Sequence, residues 1–143
     1  MSDEEIKIHR GLNNVYFDRT KTTYINGKEG VLEYRGYNIH DLSEKSSFEE
    51  VSYLLLYGKL PTKNELDAFN NSLKESREIP SQVIDIIKSI KDSHPMDVLR
   101  TAVSALSAFD EEASDKSYDA TMRKGIRLTS QVPTIVMAHN SIR

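Results

Sequence analysis

A histidine, an aspartate and an arginine stand at three-residue intervals in HPMDVLRTAVSAL, residues 94–106. On a helix, His94, Asp97 and Arg100 would lie within a turn of each other on one side. Such a triplet could be a catalytic cluster, with the imidazole as an acid–base group. The same residues also make sense without chemistry. An acid in the first turn of a helix faces the positive end of its dipole, Pro95 suits the first helical position, and His94 or Ser93 can cap the start. The triplet is therefore read as the capped and salt-bridged beginning of a buried helix, and no catalytic residue is assigned.

The other reactive side chains form no stronger constellation. The four histidines, His9, His40, His94 and His139, include no pair at the i, i+4 spacing of helical metal ligands. The chain has no cysteine, which excludes disulfides, thiolate zinc sites, iron–sulfur ligation and cysteine nucleophiles. No Walker loop, dinucleotide glycine fingerprint or Gly-x-Ser-x-Gly elbow occurs. Neither a metal ligand nor a cofactor-binding residue is assigned. Arg123, Lys124 and Arg127 place positive charge on one helical sector, which could meet a phosphate, but a solvated face or a partner to acidic side chains is the preferred reading.

The elements that must carry these residues are mostly helical. Thr22 to Arg35 alternates like strand, with TTYI and VLEYR flanking NGKEG, and Asn26-Gly27 is expected to supply the positive φ of a tight hairpin turn. Beyond Asp41 every segment reads as helix. Ser47 and Glu50 form a capping box ahead of Phe48, Val51, Leu54 and Leu55, with Gly58 as the stop. Thr62 and Glu65 repeat the device before Leu66, Phe69 and Leu73. After Pro80, Ser81 is expected to cap a stripe of Val83, Ile84, Ile86, Ile87 and Ile90. The expected elements are a hairpin over 21–36 and helices over 47–58, 62–78, 81–92, 94–110 and 117–143.

The last two helices differ in composition. Met96, Leu99, Val103 and Leu106 line one face of the fifth segment and Val98, Ala102, Ala105 and Phe109 another, so it reads as buried nearly all round. After the acidic loop DEEASDKS, the final helix has no formal charge from Leu128 to Ile142. Gln131, Pro133, His139 and Asn140 interrupt it, Pro133 is expected to bend it, and its charge-free run is too short to span a membrane. With 143 residues, 38% hydrophobic content and a net charge of −3, the chain fits one domain or part of one, with no global attraction to nucleic acid or anionic lipid. The acidic start MSDEEIKIHRG lacks the apolar stretch of a secretory signal and is too acidic for an organellar presequence, so a cytoplasmic setting is expected. Ending at Arg143 without a cap or polar tail, the sequence reads as if cut from a larger fold.

Taken in order, GLNNV, YINGKEGVLEYRGYNIHDL, SFEEVSYLLLYGKLPTKNEL, HPMDVLRTAVSAL and VPTIVMA closely resemble the citrate synthase family, over Gly11 to the end. The resemblance implies an all-α fold with a small peripheral β-hairpin, residues 1–143 forming the N-terminal part of the family's large helical domain. It implies a parent enzyme that condenses acetyl-CoA with oxaloacetate to give citrate and CoA, an acyltransferase of the tricarboxylic acid cycle. A carboxylate must then remove a weakly acidic proton from the thioester methyl while a histidine stabilises the enol oxygen. No position here matches the family's catalytic motifs, so this segment is expected to be scaffold. It is also expected to form a homodimer surface, through the helices containing Ala102, Ala105, Val132 and Val136, with Ala102, Ala105 and Ala108 allowing close approach. The rival readings are a 2-methylcitrate synthase using propionyl-CoA, and a stand-alone helical interaction module.

Overall fold

A computed structural model describes residues 10–12, 15, 16 and 18–143. The order is β1 (Thr23–Asn26), β2 (Val31–Tyr34), β3 (Tyr37–Asn38), then α1 (Ile39–Lys45), α2 (Phe48–Tyr57), α3 (Lys63–Glu75), α4 (Ser81–Ser89), α5 (Pro95–Leu106) and α6 (Tyr118–Ile142). The fold class is as expected, mostly helical with a small sheet. The sheet is nonetheless more than a hairpin. It is an antiparallel meander in the order β1-β2-β3, with Thr23 opposite Tyr34, Asn26 opposite Val31 and Tyr34 opposite Tyr37. Arg35 (φ 51°) and Gly36 (φ 85°) both adopt left-handed backbone and make the second turn tight enough for β3. Asn38 then caps α1, a separate helix not delimited from sequence, by accepting the His40 amide on its side chain.

The first turn also departs from expectation. Four residues, Gly27 to Gly30, separate β1 from β2, and the left-handed residue is Gly30 (φ 67°) rather than Asn26 or Gly27. Asn26 acts through its side chain instead. Its Oδ1 accepts the amides of Lys28 at 3.2 Å and Glu29 at 3.4 Å, folding the loop as an Asx turn.

Both capping boxes form. Ser47 and Glu50 satisfy each other's backbone amides at α2, Thr62 and Glu65 do so at α3, and Gly58 closes α2 in left-handed geometry (φ 82°). At α4 the cap differs from the expectation. Pro80 occupies the N-cap, its carbonyl accepting from Val83 and Ile84, while Ser81 lies inside the helix and makes no cap bond. Proline's fixed φ already suits this position, so the serine is displaced by one. Several helices are shorter than expected: α3 ends at Glu75, α4 at Ser89, and α5 passes into a 3₁₀ turn at Ser107–Phe109.

Helix α6 is the spine on which two cores assemble. Its C-terminal half places Ile135 against Val83 and Ile87 of α4 and against Val98, Ala102 and Leu106 of α5. Its N-terminal half places Ile126 against Tyr53, Phe69 and Leu73 of α2 and α3. Tyr53 stacks on Tyr57 at 4.3 Å and meets Phe69 edge-on at 5.4 Å, arrangements worth about 0.5–1.5 kcal/mol each beyond area burial. Gly125 permits the close crossing, since a Cβ there would lie 3.3 Å from Leu56. Helix α6 continues through Pro133.

Burial corrects the expected faces of two helical segments. The fifth segment is not buried all round: Val98, Ala102 and Leu106 of α5 are sealed, whereas Met96 and, in the 3₁₀ turn beyond it, Phe109 are exposed. Phe48 of α2 is exposed as well, and Tyr53 takes the inward position beside Leu54. An apolar residue turns inward only where another element is present to cover it.

Candidate functional site

The His94, Asp97 and Arg100 triplet resolves into two separate structural devices. His94 Nδ1 accepts the Met96 amide at 3.2 Å, an N-cap bond that requires this nitrogen to be unprotonated. Arg100 donates to Asp97 Oδ1 at 3.0 Å on the solvent side of α5. All three side chains are exposed, and the bonds they make are the cap and the surface ion pair rather than any between His94 and Asp97.

Arg123, Lys124 and Arg127 do converge on the α5–α6 loop, the two arginines on its carboxylates and the lysine on its backbone carbonyls. Arg127 donates through Nη2 to both oxygens of Asp110, at 2.8 and 2.9 Å, and through Nη1 to Glu112 Oε2 at 2.8 Å. Arg123 donates through Nε to Glu112 Oε1 at 2.9 Å, and Lys124 donates to the Glu112 carbonyl at 3.1 Å. The hydrogen bonds from Arg123 and then Arg127 pull the Glu112 carboxyl down to about 2. The Arg127 bond likewise lowers Asp110. Burial pulls the Arg127 guanidinium down, and its bonds to Asp110 and Glu112 more than restore it. Acids of the fold itself thus occupy Arg123 and Arg127. Beside this clasp lies a cleft of about 520 Å³, lined by Pro80, Val103, Leu106, Phe109, Leu128 and Gln131 as well as Asp110 and Arg127.

The remaining histidines lie apart. His40 is exposed on the first turn of α1, and His9 lies outside the described residues. His139 is buried and donates its Nε2 proton to the Lys91 carbonyl at 2.8 Å, holding α6 to the turn between α4 and α5. Among the described residues no group of three His, Asp or Glu side chains could hold a metal ion. Ser130, also buried on α6, donates its hydroxyl to the Leu73 carbonyl, a role that sequence reasoning did not identify. The only signal was a polar residue in the charge-free stretch from Leu128 to Ile142.

The residues expected to form a subunit seam divide between inside and outside. Ala102 is 0% exposed within the chain's own core, and Ala105 packs against the same cluster, so their small size serves the internal α5–α6 crossing. Val132 is half-buried. Outward-facing apolar surface lies on α6 instead, where Val136 is 48% and Met137 62% exposed, next to the exposed Pro133. Phe48 lies at the near edge, bordering with Pro133 and Met137 a second, shallower cleft of about 380 Å³. These residues suit docking against another element, and none of them could activate a substrate.

A family model described as citrate synthase, C-terminal domain, matches residues 11–143. The chain belongs to the citrate synthase family. The citrate synthase of Deinococcus radiodurans is 45% identical over 134 residues, covering 93% of this chain and 36% of that protein. 2-Methylcitrate synthase 1 of Corynebacterium glutamicum is 40% identical over 137 residues, covering 95% of this chain and 35% of that protein. The crystal structure of citrate synthase from Pyrobaculum aerophilum superposes with a TM-score of 0.88 at 37% identity, over 94% of this chain and 36% of that one. A ternary complex of carboxymethyl coenzyme A and oxaloacetate with citrate synthase from Thermoplasma acidophilum gives a TM-score of 0.81 at 28% identity, over 93% and 36%. This chain therefore spans about a third of the length of the relatives it matches. Among its described residues no helix is long and apolar enough to cross a membrane.

Proposed function

We propose that this chain is the N-terminal part of the large helical domain of a cytoplasmic citrate synthase, the acyltransferase that condenses acetyl-CoA with oxaloacetate to give citrate and CoA. Within that enzyme it acts as scaffold and subunit contact, and the groups that bind and activate substrate lie outside these residues. The observation that carries this reading is the 45% identity to a citrate synthase over 93% of the chain, accompanied by the use of His94 as a helix cap and of Arg127 in ion pairs within the fold. The subunit contact is assigned to α5 and α6, and specifically to the outward face of α6 around Val136 and Met137.

The test is thiol release from acetyl-CoA in the presence of oxaloacetate. The 143-residue chain alone is expected to match a no-protein control. Co-expressed with the part of the Deinococcus radiodurans citrate synthase that it does not match, it is expected to yield a condensing enzyme. Activity of the chain alone would overturn the scaffold assignment. The similarity to a 2-methylcitrate synthase supports a second reading, in which the parent prefers propionyl-CoA. A full-length enzyme carrying this segment distinguishes the two by its kcat/KM for acetyl-CoA and propionyl-CoA.

A further inference from the structure

Asn26-Gly27 is the only Asn-Gly pair in the sequence, and it opens the β1–β2 turn. Gly27 is exposed, and a Cβ built on it would meet nothing within 4 Å, so its backbone nitrogen is uncrowded by side chains. The neighbouring carboxamide is held at both ends. Its Oδ1 accepts the amides of Lys28 at 3.2 Å and Glu29 at 3.4 Å, and its Nδ2 donates to Glu29 Oε2 at 2.8 Å. Nucleophilic attack on Asn26 Cγ would convert Oδ1 into an oxyanion, and two backbone N–H groups already face that oxygen. Donors fixed where negative charge develops are the arrangement that accelerates acyl transfer in enzyme sites.

We propose that Asn26 is a self-modifying site, at which the turn promotes conversion of its carboxamide to a carboxylate. The Gly27 amide nitrogen gives up its proton to solvent base and bonds to Asn26 Cγ. The Cγ–Nδ2 bond breaks, and Nδ2 takes a proton from water and leaves as ammonia. The resulting five-membered imide is opened by water at either carbonyl, giving aspartate or isoaspartate. The net change consumes one water and releases one ammonia, with no electron transferred. Either product alters the sheet. The new carboxylate replaces the group that now donates to Glu29, setting like charges together, and isoaspartate adds a methylene to the main chain where Asn26 pairs with Val31.

Tryptic peptide mapping reads the reaction directly, because cleavage after Lys21 and Lys28 isolates Asn26 from every other asparagine. The folded chain is incubated at neutral to mildly alkaline pH and physiological temperature, alongside the same chain unfolded in urea. Peptide 22–28 is expected to gain the amide-to-acid mass and the isoaspartate retention shift about tenfold or more faster than the peptides carrying Asn38, Asn64 or Asn140, and at least as fast in the folded chain as in urea. That factor is well below what oxyanion donors supply in enzymes. Gly27→Ala keeps the turn, since Gly27 lies outside the positive-φ region and has room for a Cβ, yet it crowds the attacking nitrogen and is expected to slow conversion about tenfold. An unreacted peptide 22–28, a Gly27→Ala chain that reacts at the original rate while retaining its far-UV spectrum, or a urea-unfolded chain reacting about tenfold faster than the folded one would each overturn the proposal.

Discussion

His94 is the residue whose chemistry and context differ most. An exposed imidazole three residues from an aspartate suggests proton transfer, yet its Nδ1 is used by the Met96 amide. His94→Ala is expected to lower stability by about 0.5–2 kcal/mol through the lost cap, and in a full-length enzyme to leave kcat nearly unchanged. Urea titration of the chain and turnover of the full-length variant measure the two effects. A folded variant slowed about a hundredfold or more, the low end of what a lost acid–base group costs, would restore the catalytic reading. Ala102 makes the opposite contrast. It looks unremarkable in sequence, but it is sealed among Val83, Ile87, Val98 and Ile135, so Ala102→Arg buries an unpaired charge and is expected to prevent cooperative folding, seen as loss of a urea transition. His139→Ala leaves the Lys91 carbonyl without its partner at the α4–α5 turn, and a loss of about 1–3 kcal/mol is expected in the same titration.

Two features act at the level of elements. The α5–α6 loop is tied to α6 by Asp110, Glu112, Arg123 and Arg127, and α3 is started by Glu65, whose bonds to Lys59 and Thr62 also hold its carboxyl down to about 2. For both glutamates the folded-state value lies below the ordinary 4.5 of the unfolded chain. Their contribution is therefore complete above pH 4.5 and is lost as pH falls from 4.5 toward 2. The thermal midpoint is expected to drop through this window, and Arg127→Ala to make the drop shallower while lowering the midpoint at neutral pH. Glu65 and Glu112 could be found in sequence only in part. Thr62-x-x-Glu65 is a local pattern, whereas the link from Glu112 to Arg127 depends on how the loop folds back. The crossing at Gly125 gives a steric test. Gly125→Ala gains up to about 1 kcal/mol of helix propensity against a flexible Leu56 terminus that can shift, so it should be near neutral, whereas Gly125→Ile should separate α2 from α6 and lower the melting temperature markedly.

At the scale of the molecule, α6 organises both cores and still presents apolar side chains outward. Val136, Met137 and Pro133, bordered by Phe48, form a continuous exposed patch of the kind that drives association. The isolated chain is expected to self-associate at micromolar concentration by light scattering, and Val136→Lys with Met137→Lys to shift it toward monomer without changing its far-UV spectrum. Dissociation unchanged by that double substitution would move the contact to another face.

The caps of α2, α3 and α5 were legible in the sequence because each is completed within a few residues, whereas the first turn placed its left-handed residue at Gly30 and α4 took Pro80 as its cap. Ser47 with Glu50, Thr62 with Glu65 and His94 before Pro95 satisfy backbone groups that lie within one turn, whatever surrounds them. The ordered segments that resemble citrate synthase were equally visible, being a property of the chain itself. Which apolar face turned inward was not legible. Met96 and Val98 have similar hydrophobicity and lie two residues apart, yet one is exposed and the other sealed, because only α4 and α6 determine where α5 is covered. The same holds for Ala102, which suited a subunit seam by size and instead faces its own core, and for Arg127, whose partners stand 15 and 17 residues away. Burial and ion pairing depend on which elements meet in space, and side chains distant along the chain are brought together only when the helices pack.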